Sequence, residues 1–98
     1  MKIKVLNETL DLSFTDLINS NEEEGCLQFF KKKIMIDEKF LDDPVMLMQV
    51  LWHEILHYIV KEQHLMDIKD EETFVNNLAI SITMIEKDNK KLFEKLNQ

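Results

Sequence analysis

The stretch Val50–Val60, "VLWHEILHYIV", decides how this chain is read. It is apolar enough for a core helix, yet it carries His53, Glu54 and His57. In a helix, residues four apart lie on one face, one turn apart. His53 and His57 therefore present two imidazoles side by side, about 6 Å apart along the axis. That geometry suits one metal ion. Glu54 stands next to the first histidine and turns toward the same opening, where it can hold a water. His-Glu-x-x-His thus reads as two zinc ligands and a general base. The plain alternative is a core helix with two ordinary histidines. Burying two imidazoles and a carboxylate without partners costs on the order of several kcal/mol, and a metal removes that cost.

Working outward, "LDDPVMLMQVLWHEILHYIVKEQH" has the signals of one helix over residues 43–64. Asp42 or Asp43 can cap it, and Pro44 suits the first helical position. Its apolar residues cover most of the circumference, which predicts a largely buried helix. Trp52, Met46 and Met48 read as core. Tyr58 reads as a core residue with a tethered hydroxyl, its functional alternative being a donor to an oxyanion. His64 lies seven residues past His57, about 10 Å on, too far to share a metal, and is placed at the frayed helix end.

Zinc in a hydrolase takes a third protein ligand and keeps a fourth position for water. Cys26 lies on a distant hairpin. The better source is "DEETFVNNLA", which opens a second helix from about Asp70 to Lys87, with Phe74, Val75, Leu78, Ile82 and Ile85 at 3–4 spacing. If the two helices pack antiparallel, an acid at this start faces the histidines. Glu72 is preferred as ligand over Glu71, being assigned nearer the face that Val75, Leu78 and Ile82 turn inward. The plain reading of this acid pair is a solvated helix N-terminus. Asn76, one turn after Glu72, is a candidate to hydrogen-bond a liganding histidine.

The first third of the chain alternates with period two. Ile3 and Val5, then Leu10, Leu12 and Phe14, predict a hairpin turning near Asn7–Glu8. "TDLINSNEEEG" reads as a helical turn and a polar loop ended by Gly25. A second hairpin follows, with arms at 26–29 and 33–37, and its last strand is expected at a sheet edge. "DNKKLFEKLNQ" predicts a short final helix with Leu92, Phe93 and Leu96 packed inward. The order is strands, then a buried helix, then an amphipathic helix. That is a single α+β domain over residues 1–98, with a small antiparallel or mixed sheet.

The formal charge is −7, from 12 basic and 19 acidic side chains. Such a chain is poorly suited to nucleic-acid phosphates or anionic membranes. The N-terminus lacks the apolar run of a signal peptide, and the stretch from Val45 to Val60 is too short and polar to span a bilayer. The single cysteine, Cys26, is expected half-buried in a strand and fits a reducing compartment. The expected location is the cytoplasm.

The "HEILH" helix after a short sheet, the "EExxVxxLA" pattern at the start of the next helix, and "DN" at its end resemble small phage and prophage zincin-like proteins. These look like minimal relatives of the ImmA/IrrE metallopeptidase group. The resemblance implies zinc held by His53, His57 and Glu72, with Glu54 as catalytic base, and hydrolysis of a peptide bond in a host or phage regulator. It also implies an extended substrate paired to strand 33–37. The chain departs from the pattern at Lys90, where a proline is usual, and at Tyr58, where a small residue is usual. Two other readings are a non-catalytic protein-binding module with a structural zinc site, and an acidic nucleic-acid mimic. Lys31-Lys32-Lys33 interrupts the acids that the mimic would need.

Overall fold

The computed structural model describes residues 1–17, 24–64 and 68–96. Four strands form one mixed sheet: β1 (Lys2–Val5), β2 (Glu8–Thr15), β3 (Gly25–Gln28) and β4 (Lys33–Asp37). Their spatial order is β1-β2-β4-β3. The α+β class is as the sequence implies. Antiparallel β1 and β2 turn at Leu6 and Asn7, both with positive φ, 51° and 67°. Two consecutive left-handed residues are the signature of a tight two-residue hairpin, reached here without the usual Asn-Gly. The second hairpin joins β3 to β4 through Phe29–Lys32, with Lys32 left-handed.

β4 is not an edge strand. It runs parallel to β2, Leu12 opposite Ile34 and Phe14 opposite Ile36, and carries β3 on its other side. The expected substrate pairing along residues 33–37 is therefore closed, because both ladders of β4 are already used. β1 and β3 are the edges. The period-two pattern sends Leu10, Leu12, Ile34 and Ile36 to one face, where all are buried.

Asp37 caps a 3-10 turn over Glu38–Asp42, its carboxylate accepting the Lys39 N–H and also the N–H of Leu17. Helix α1 follows over Pro44–Gln63, with Pro44 at its start and the Asp43 carboxylate accepting the Met46 N–H at 3.2 Å. It ends at His64, whose left-handed backbone stops the helix. Helix α2 spans Ile68–Asp88, and α3 spans Lys90–Leu96.

α1 is the middle layer. One side packs on the sheet through Val50 and Tyr58, flanked by Met46, Leu47, Leu51 and Ile55. The other packs on α2, where Leu56 and Val60 meet Val75 and Ala79. α3 departs from expectation: Leu92, Phe93 and Leu96 are exposed, and no residue of this helix is buried. The polar loop expected between the hairpins falls largely on residues 18–23, outside the described residues. Among the described residues no helix is long and apolar enough to cross a membrane.

Candidate metal centre

α1 and α2 are antiparallel. Near the middle of α1 the Trp52 indole N–H donates to Glu86 Oε1 at 2.6 Å, while one turn further on His57 meets Glu71. The contacts run in opposite order along the two helices. This brings the acid pair at the start of α2 over the histidines, as the third-ligand argument requires.

His53 Nε2 and His57 Nε2 face each other at 3.2 Å. Glu72 spans them, with Oε1 at 2.9 Å from His53 Nε2 and Oε2 at 2.9 Å from His57 Nε2. His53, His57 and Glu72 form a group that could hold a metal ion. The structure brings together the three residues chosen as ligands.

The two acids divide their roles in a way the sequence reading did not foresee. Glu71, not Glu72, is the buried one, 5 % exposed. Its Oε2 lies 2.5 Å from His57 Nδ1, while the Glu72 side chain is largely exposed. A carboxylate only accepts, so a proton on His57 Nδ1 is donated to Glu71, and Nε2 is the ring nitrogen turned toward His53 and Glu72. A carboxylate behind a liganding histidine fixes tautomer and ring orientation. Asn76 was the candidate for that task. It is exposed and lines a neighbouring cavity instead, and Glu71 holds the ring. The signal for Glu71 was present: Glu71, Val75, Ala79 and Thr83 recur every four residues and are all buried.

The donor set fits a small divalent ion. The two Nε2 atoms and the Glu72 carboxylate converge on one point, and a bound cation or a proton on an imidazole relieves the crowding of acceptors there. Their separations of 2.9–3.2 Å approach the about 3.3 Å edge of a tetrahedron with zinc-type bond lengths. Two imidazoles and one carboxylate are also a zinc-type combination.

Glu54 is buried on the flank of α1 that faces β3. It shares with His53 the lining of a cavity of about 370 Å³, completed by Glu24, Gly25, Gln49, Val50 and Asn76. Gly25 explains the close approach of β3. A Cβ there would stand 2.8 Å from Val50 Cγ1 and 3.2 Å from Glu54 Cγ. The glycine does more than end a loop, because it lets the strand press on the helix at Glu54.

The other candidates fall outside the centre. His64 is the exposed helix stop. Cys26 is half-buried on β3, opposite Met35. Tyr58 points to the sheet side, 1 % exposed, its ring 5.3 Å from that of Phe29. Its hydroxyl has no hydrogen-bond partner among the described residues, and burial pushes the phenol up from its ordinary range. It is core, with neither a tether nor an oxyanion role.

The fold and the histidine–glutamate group define an α+β domain with a candidate metal centre between two antiparallel helices. No family profile matches the chain, and neither a curated protein nor a solved structure matches it.

Proposed function

We propose that this chain is a small zinc-dependent metallopeptidase of the His-Glu-x-x-His type, similar to the ImmA/IrrE group, acting on a peptide bond in a protein such as a host or phage regulator. The observation that carries the reading is the convergence of His53, His57 and Glu72, with Glu71 behind His57. His53, His57 and Glu72 would hold the ion. Zinc in such a site supplies the Lewis acidity that amide hydrolysis needs. Glu54 takes the proton of the attacking water and delivers it to the departing amine nitrogen. Its place in the wall of an open cavity beside His53 supports that role. Glu71 keeps His57 in the tautomer whose Nε2 faces the ion.

A second reading is a protein-binding module with a structural zinc site. The exposed apolar residues of the helices favour it, namely Met84 and Ile85 on α2 with Leu92, Phe93 and Leu96 on α3. Glu54 separates the two readings. In the module, Glu54→Gln leaves zinc content and biological effect intact. In the peptidase it leaves zinc and abolishes cleavage.

The direct test is metal analysis of protein purified without a histidine tag. The expected result is close to one zinc per chain, lost in His53→Ala and in Glu72→Ala. A parent protein that takes up no zinc on reconstitution, or a His53→Ala variant that retains it fully, would overturn the proposal.

A further inference from the structure

The cavity beside the metal group has a chemical character of its own. Its wall comes from three directions. Glu24 and Gly25 belong to the entry of β3, Gln49 and Val50 to the turn of α1 before His53, and Asn76 to the turn of α2 after Glu72. Glu24 is anchored where it stands, because its carbonyl accepts the N–H of Asp37 at 2.9 Å. Among the described residues the lining holds two carboxylates, Glu24 and Glu54, and no lysine or arginine. Glu24 is also the last of three consecutive glutamates in a chain of net charge −7. Beyond Glu54 and His53, which the proposed chemistry uses, the polar groups left are the Glu24 carboxylate and the side-chain amides of Gln49 and Asn76.

We infer that this cavity is a subsite for a cationic side chain, a lysine or arginine of the peptide substrate next to the bond that is cut. The inference rests on the peptidase reading and names its substrate class. Ammonium and guanidinium groups only donate hydrogen bonds, and a carboxylate with two amide oxygens gives them acceptors from three sides. Val50 offers an apolar surface for the methylene stem, the usual arrangement for a long cationic side chain. An acidic side chain here would face Glu24 and Glu54, both carboxylates. A purely apolar one would strip water from Glu24, Gln49 and Asn76 and return no hydrogen bond. At about 370 Å³ the cavity lies within the size range of small-ligand pockets, so a long side chain fits.

The test compares three blocked tripeptides, Ala-Lys-Ala, Ala-norleucine-Ala and Ala-Glu-Ala. Each is titrated into the zinc-loaded protein while the side-chain amide NMR signals of Gln49 and Asn76 are followed. The lysine peptide is expected to bind about tenfold more tightly than the norleucine one, the size of one hydrogen bond to a charged group. It should shift both amide signals. Glu24→Lys, a change at an exposed position, should erase that preference. Gln49→Glu, which adds a carboxylate, should increase it. Equal binding of the three peptides, or a preference that survives Glu24→Lys, would overturn the subsite. A peptide-library digest then separates the two claims. Cleavage without a basic residue near the cut sinks the subsite and leaves the peptidase standing. Selective lysine binding without cleavage keeps the subsite and sinks the peptidase.

Discussion

Toward the sheet, α1 presents Val50 and Tyr58 with half-buried Leu47, Leu51 and Ile55; toward the start of α2 it presents His53 and His57. The first interface is apolar, closed by Leu10, Leu12, Ile34 and Ile36, none more than 4 % exposed. The second begins in the same way with Leu56, Val60, Val75 and Ala79, then gives way to two imidazoles and the buried carboxylate of Glu71. Aliphatic burial stabilises a small domain at about 25 cal/mol per Å². Buried ionisable groups contribute little net stability even when well paired, and apolar replacements often match them. The sheet side of α1 therefore holds the fold together, and the far end of the α2 side holds the candidate metal group.

The largest effect should come from emptying the sheet side. Ile34 is fully buried at the centre of the sheet, between β2 and β3. Ile34→Ala should lower stability by about 3 kcal/mol in urea unfolding, a large share of what a domain of this size has. It should do so equally with and without zinc. A loss below about 1 kcal/mol would mean the sheet side is not the main core.

On the other interface, Glu71→Gln should act on metal and hardly on fold. Losing the carboxylate behind His57 should weaken zinc binding about 10–100-fold, read by competition with a chelator. Stability without metal should shift by no more than about 1 kcal/mol, the net worth of one hydrogen bond to a neutral imidazole. The opposite pattern, unchanged affinity and a loss of about 3 kcal/mol without zinc, would recast the cluster as a buried ion pair around a protonated His57.

Much of this architecture was legible because it is periodic. Alternation at Leu10–Leu12 and Ile34–Ile36 marked the strands, Asp43-Pro44 marked the start of α1, and His53/His57 marked the centre. Strand order was not legible. Nothing local in "KIMID" says which strands flank it, so β4 was expected at an edge and lies inside. The acid pair shows a different limit. At 100° per residue, Glu71 falls within about 15° of the middle of the Val75, Leu78 and Ile82 stripe, and Glu72 about 90° away. The buried acid is thus the one on the stripe. The candidate metal group includes the flanking one, because a long glutamate side chain can reach sideways to the histidines. Leu92, Phe93 and Leu96 carry a core-like pattern, yet no residue of α3 is buried and all three stay exposed.

Gly25 is where the apolar side meets Glu54, so Gly25→Ala should disturb both. The new methyl group would stand 2.8 Å from Val50 Cγ1 and 3.2 Å from Glu54 Cγ. Valine is stiff at its branch point, so the strand or the helix has to move. A destabilisation of about 1–2 kcal/mol is expected from overpacking, measured by urea unfolding. Zinc content should stay near the parent value because the new methyl group meets Val50 and Glu54 and none of His53, His57 or Glu72. Loss of zinc in this variant would show that the two flanks are mechanically joined.

The smallest expected effect probes a polar atom on the apolar side. Tyr58 is almost fully buried, and its hydroxyl finds no partner among the described residues. Such a group loses its water and gains no hydrogen bond in return, so Tyr58→Phe should be neutral or stabilising by up to about 1 kcal/mol. Burial raises the phenol's pKa in the folded chain. The unfolded chain therefore ionises first, and stability falls as pH climbs past about 10. Tyr58→Phe should flatten that alkaline decline and leave zinc content unchanged. A loss of stability near neutral pH would instead assign the hydroxyl a partner, and the sheet side of α1 would then contain a polar tether of its own.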